Sequence, residues 1–119
     1  MRQDKIEENA IVKLSFEFAL EIISYAELLD TSRKYIVARQ ILKSGTSIGA
    51  NVREAQNSES KADFIHKFKV AAKEADETQY WLQLCKFSKG YPDCEHLIKR
   101  VEELNRIITK IISTSKNQS

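Results

Sequence analysis

An all-α fold, an antiparallel up-down-up-down four-helix bundle, is predicted by three features of this chain. Apolar residues recur at helical spacing over four long segments, only three Gly and one Pro interrupt 119 residues, and 30% of the residues are charged. So little Gly and Pro leaves few of the turns that a β-fold needs, and short connections make consecutive helices run antiparallel. A chain of this length holds one core, so residues 1–119 are expected to form a single domain.

The first helix is expected over about 4–29. Ile11, Leu14, Phe18, Ile22, Tyr25 and Leu29 stack on one face, and a second apolar row, Val12, Phe16, Ala19, Leu20 and Ile23, runs beside them. Asp30, Thr31 and Ser32 supply stop and N-cap signals. The second helix, about 33–57, carries Val37, Ile41, Ser44, Ile48, Val52 and Ala55 along one stripe. The third, about 60–89, turns Phe64, Phe68, Ala71, Ala75, Thr78, Leu82 and Cys85 inward. Gly90 then reads as the residue just past the helix end, and Pro92 as lying in the first turn of the next helix. That fourth helix, about 92–113, repeats Leu97, Val101, Leu104, Ile108 and Ile111, and the polar tail 114–119 is expected to fray. No solenoid period is present.

The stretch KSGTSIGAN sets Gly45 and Gly49 four residues apart inside the second helix. A phosphate-binding loop would need G-x-x-x-x-G-K-[ST] after a buried strand, and neither the spacing nor the following Ala50 and Asn51 fits. On a helical wheel Ala38, Gly45 and Gly49 share a side with Leu42, so the glycines read as the place where another helix comes close. On the other flank Gln40, Ser44, Ser47 and Asn51 form a polar row. It is either a hydrogen-bonded seam that sets helix register or a surface for a ligand or partner, and the seam is favoured because no acid, base or metal ligand stands nearby.

Catalytic chemistry is sparse. Asp63 and His66 share a face three residues apart, but a metal centre in a bundle draws ligands from several helices, and His96 lies beyond the proline. Cys85 and Cys94 are not spaced as a redox pair and lack a histidine partner, so both are expected to be free thiols. We therefore expect no enzyme activity, no cofactor and no metal. The acidic start MRQDKIEEN and the lack of an apolar run near ~20 residues argue against a secretion signal or membrane helix, and the expected compartment is the cytoplasm.

Charge and outward apolar residues carry more information. Residues 1–32 hold three Lys or Arg against seven Asp or Glu, residues 33–73 nine against three, and residues 74–119 seven of each. Arg39, Lys43 and Arg53 lie opposite the core of the second helix, and Lys69 and Lys73, with His66, opposite that of the third. Such a concentration of cations suits the phosphates of RNA or DNA. The plainer reading is a solvated face with Lys73–Glu77 and Asp63–Lys67 pairs along the helix. Tyr80, Leu84 and Phe87, with Trp81 beside them, also face away from the core. Together with Val12, Phe16, Leu20 and Ile23 they predict a subunit interface, hence a homo-oligomer.

Helices two and three resemble one family in detail. Gln40, Ser44, the run Ser47, Ile48, Ala50, Asn51, Val52 and Glu54, then Lys61 and Phe64, and finally Glu77, Thr78, Tyr80, Trp81 and Leu82 match the bacterial four-helix-bundle proteins encoded by intervening sequences within 23S ribosomal RNA genes, the S23 ribosomal protein family. Relatives often have Gly after the Glu, whereas Ala55 and Gln56 stand here, which implies that the second helix continues further. The resemblance implies a ring-shaped homopentamer without known enzymatic activity. It also implies kinship with the accessory protein of diversity-generating retroelements, a similar bundle that binds nucleic acid and a reverse transcriptase. The partners to expect are thus the chain itself, RNA or DNA, or a partner protein for which the bundle serves as an adaptor. The family name reflects gene location, and a ribosomal role does not follow from it.

Overall fold

The structure, a computed structural model, describes residues 3–118, with side-chain surroundings from residue 8 onward; Met1, Arg2 and Ser119, at the ends of the expected domain, lie outside the described residues. Four helices form an elongated bundle of 50 × 22 × 19 Å: α1 (Gln3–Thr31), α2 (Tyr35–Ala55), α3 (Lys61–Phe87) and α4 (Glu95–Lys116). Each helix packs on its sequence neighbours and α4 closes back on α1, while diagonal pairs stay apart. This is the antiparallel four-helix arrangement that short connections dictate.

Local chemistry explains each turn. At the end of α1 the chain reverses through Arg33, which adopts φ 63°, and the Lys34 amide donates back to the Leu29 carbonyl at 2.8 Å while the Arg33 amide donates to Asp30 at 2.9 Å. That pattern satisfies the last carbonyls of a helix and normally uses Gly at the left-handed position. The expected N-caps do not act as caps for α2. The Ser32 and Thr31 hydroxyls donate back to the Leu28 and Glu27 carbonyls, and Lys34 occupies the N-cap position without a side-chain bond. The helix proper of α2 ends at Ala55, two residues short of expectation, and the chain continues through i→i+3 bonds to Ser58. Ser60 caps α3 by accepting from the Asp63 amide at 3.0 Å, and the Asp63 carboxylate accepts from the Glu59 amide at 3.3 Å. This reciprocal arrangement neutralises donors that the first helical turn leaves unpaired.

Two boundary expectations are corrected around the only proline. Helix α3 ends at Phe87, so Gly90, with φ 79°, serves the loop rather than the position just past the helix. Pro92 also lies in that loop, and α4 starts only at Glu95, after Cys94. The reason is a long-range bond: the Tyr25 hydroxyl on α1 donates to the Pro92 carbonyl at 2.7 Å, holding the loop extended across the bundle end. At the other end α4 runs to Lys116 and buries Ser115, so half of the expected tail is helical.

The core follows the inward stripes. Phe18, Ile22, Ile41, Ile48, Phe68 and Leu82 are fully buried, with Val101, Leu104 and Ile108 from α4. Leu14, Val37 and Phe64 are only half-buried, whereas Ala38 and Gly45 lie inside. The glycines account for the burial of the Ala38 and Gly45 side of α2. A Cβ at Gly45 would sit 2.8 Å from Cγ1 and Cγ2 of Ile22, and one at Gly49 would sit 3.2 Å from the Ser15 carbonyl oxygen. Both glycines lie within α2 and let it approach α1, which offsets the ~1 kcal/mol that Gly costs against Ala in a helix.

Candidate interaction surfaces

The polar row on α2 faces α3. Ser44 is buried, and its hydroxyl is hydrogen-bonded to the buried Thr78 hydroxyl at 2.9 Å; Thr78 also donates to the Glu74 carbonyl at 2.7 Å. Ser47 donates to the Lys43 carbonyl at 2.6 Å and Asn51 to the Ser47 carbonyl at 2.9 Å, while Gln40 is half-exposed above them. Among the described residues no buried side-chain N or O atom lacks a partner. The row therefore contains a cross-helix hydroxyl pair at its centre and helix-internal bonds on its rim.

Two apolar surfaces remain open to solvent. On α1, Phe16 is 54% exposed, Leu20 and Ile23 stand beside it, and Val12 is half-buried. Val12, Phe16 and Leu20, though not Ile23, form one wall of a groove of about 660 Å³ whose other wall is Thr46, Gly49, Ala50 and Arg53 of α2. The small residues that permit close helix approach thus also leave the groove deep. The second surface is the outer side of α3, where Tyr80 is 62% and Phe87 81% exposed, with Leu84 between them. Trp81 differs from its neighbours: it packs half-buried against the core, and its Nε1 donates to the Glu77 carboxylate at 3.4 Å. The α1 row was legible from spacing, as was Gly49 of the α2 wall, whereas Thr46 and Ala50 gave no such signal because neither belongs to an apolar stripe. Leu28, Tyr35, Ile36 and Leu42 are further exposed apolar residues outside the expected set.

The five cations, expected as one stripe on α2 and another on α3, are divided between flanks of the bundle at Arg53 and Lys69. Arg39, Lys43, Arg53, Lys69 and Lys73 are all exposed. However, Arg53 lines the α1–α2 groove, whereas Lys69 stands beside Lys116 of α4, on the opposite flank of the α2–α3 layer. Lys116 holds the Lys69 pKa below the ordinary lysine value by like-charge proximity. Near Lys43, burial and the neighbouring Glu77 push the Glu74 carboxyl up, and Lys43 draws it back down. Of the expected intrahelical pairs, Lys67 bonds across to Glu54 at 3.0 Å instead of to Asp63, and the Glu77 carboxylate faces Trp81.

The remaining titratable groups are structural in their surroundings. Cys85 and Cys94 are free and buried; burial pushes Cys85 up to about 11 and raises Cys94 as well. Burial, reinforced by these two thiols, also drives the Tyr25 hydroxyl far above the ordinary phenol value. His96 contacts Glu21 at 2.8 Å, and Arg100 donates to the same carboxylate at 3.3 Å, joining α4 to α1. His66 is exposed, and among the described residues no group of three or more His, Cys, Asp or Glu side chains is placed to hold a metal ion. No helix among the described residues is long and apolar enough to cross a membrane.

Comparison with known proteins bears on the whole bundle. No curated protein matches the chain in sequence. A solved structure is similar throughout: a protein of unknown function from the S23 ribosomal protein family of Bacteroides thetaiotaomicron, 39% identical, covering 90% of this chain and 98% of its own, with a TM-score of 0.86. The family model described as 23S rRNA-intervening sequence protein matches residues 7–110, from the start of the α1 core stripe almost to the end of α4, and the chain therefore belongs to that family.

Proposed function

We propose that this protein is a non-enzymatic homo-oligomer of the cytoplasm that binds RNA or DNA through cations on its helical surface. The observation that carries the assembly is the pair of open apolar surfaces, Phe16 with Leu20 on one side and Tyr80 with Phe87 on another. They lie on different sides of the bundle, so the surface of one protomer meets a different surface of the next, and such contacts form a ring when the rotation between protomers closes. Five-fold closure is the state that the family resemblance implies. An ordinary interface buries ~800 Å² per partner. At ~25 cal/mol per Å² of apolar area, covering these side chains offers several kcal/mol per contact, large beside the marginal stability of a small domain.

The nucleic-acid part rests on the exposed cations of α2 and α3, which repetition around a ring would multiply. Light scattering at micromolar concentration tests the assembly. One species of several-fold protomer mass is expected, and a monomer would refute it. Leu84→Glu with Phe87→Glu should dissociate the ring; this pair is preferable to any change at Trp81, whose partial burial couples it to folding. Pull-down with and without nuclease tests the ligand. Capture of nucleic acid supports the reading, while capture of a protein that survives nuclease supports the adaptor reading instead.

A further inference from the structure

The side of the bundle opposite the α1–α2 groove holds a second depression of about 770 Å³, between α3 and α4, lined by Gln79, Glu102, Asn105, Arg106, Thr109 and Ser113 along with Lys110. Glu102 in the lining and Asp76 beside it accept from neutral amides and keep their negative charge, against the cations Arg106, Lys69 and Lys116. Gln79 Nε2 donates to Glu102 at 3.2 Å, and Asn105 Nδ2 donates to Asp76 at 2.8 Å. Arg106 makes no ion pair among the described residues, and neither do Lys69 and Lys116. Those two lysines, Lys69 of α3 and Lys116 of α4, lie outside the lining of the depression, Lys116 one turn beyond Ser113, and stand close enough to repel each other. An anion between them would relieve that repulsion.

Helical spacing sets these groups in line. Arg106, Thr109, Ser113 and Lys116 recur at steps of three, four and three, one flank of α4. At 1.5 Å per residue the line runs ~15 Å, long enough for several consecutive phosphates. All four side chains are exposed, and two hydroxyls flanked by a cation at each end are groups that contact phosphate and sugar oxygens. No aromatic ring lines the groove, so nothing in it would stack on a base. The outer face of α2 is less suited, since Glu74 and Glu77 stand near Lys43 and Arg53 turns into an apolar groove.

We infer that the α3–α4 groove, through Arg106, Thr109 and Ser113 and extended past its lining by Lys116 and the neighbouring Lys69, seats the phosphate backbone of a nucleic acid without reading its bases. The inference rests on the nucleic-acid reading above and adds the face and the mode of contact.

Fluorescence anisotropy of the full chain tests it, with a labelled structured RNA and a single-stranded DNA titrated over a range of salt. Three proteins are compared: wild type, Arg106→Gln with Lys116→Gln, and Arg39→Gln with Lys43→Gln. Glutamine keeps helix propensity close to that of Arg and Lys, so the exposed changes leave folding intact. The α4 pair should weaken binding roughly tenfold near 0.1 M salt and flatten the logarithmic salt dependence by about one to two units, irrespective of base sequence. The α2 pair should weaken binding clearly less than the α4 pair. Loss confined to the α2 pair, or equal loss from both pairs, overturns the assignment of the groove while leaving nucleic-acid binding in place. Absence of wild-type binding to either probe overturns both.

Discussion

Replacing Gly45 with alanine should destabilise the protein, although it removes a glycine from the middle of a helix. By propensity alone the change favours α2 by ~1 kcal/mol. Against this, the new methyl would lie 2.8 Å from both Cγ atoms of Ile22 and 3.2 Å from its Cδ1. Ile22 is fully buried, so it has little room to retreat, and overpacking of this kind costs about 1–3 kcal/mol. The net loss is therefore ~1 kcal/mol. For 119 residues the unfolding entropy is about 0.25 kcal/mol/K, so the midpoint should fall by ~4 °C. A double-mutant cycle separates the two contributions. Ile22→Ala removes every atom in the clash, and in that background Gly45→Ala should stabilise by ~1 kcal/mol, giving a coupling energy of about 2 kcal/mol. Chemical denaturation of all four proteins at one concentration provides the measurement. If Gly45→Ala stabilises in both backgrounds, the helices are not held as close as described, and the packing explanation of the glycine pair fails.

Other perturbations test separate contacts. Arg33→Gly should raise stability by roughly 0.5–1 kcal/mol in thermal melts, because φ 63° burdens a side chain and suits glycine. Thr78→Val should cost about 1–3 kcal/mol by leaving the buried Ser44 hydroxyl without its partner on α3, and adding Ser44→Ala should recover most of that loss in urea titrations. The raised Cys85 pKa makes stability depend on alkaline pH. Unfolding exposes a thiol that ionises near its ordinary 9.0, whereas the folded thiol holds its proton to about 11. Its contribution is thus complete below pH ~9 and lost as pH rises toward ~11. Urea midpoints should fall across that window, and less steeply in Cys85→Ala. A flat profile in the wild type would contradict the buried thiol.

The sequence by itself determined the helix count, the inward stripes and part of the apolar surface left outside, though not Leu28, Tyr35, Ile36 and Leu42 or the partial burial of Trp81. Those features follow from the period of one helix, and Ile11, Phe18, Ile22 and Leu29 or Tyr80, Leu84 and Phe87 announce their faces without reference to any partner. The tight spot beneath Gly45 was legible as well, since small residues on one line have few other uses. Contacts between distant segments were not legible. Pro92 looked like a helix opener until the Tyr25 hydroxyl, 67 residues earlier, claimed its carbonyl, and the Asp63–Lys67 pair gave way to Glu54 across the α2–α3 boundary. The basic residues show the same limit most clearly. Along the sequence Arg53 and Lys69 belong to one cationic stretch, but rotation of α2 toward α1 and the closure of α4 on α3 send them to opposite flanks and bring Lys116 to Lys69. Periodicity tells how a helix is turned relative to its own core, while which charges become neighbours depends on the azimuth and register of two helices together, quantities that exist only in the folded bundle.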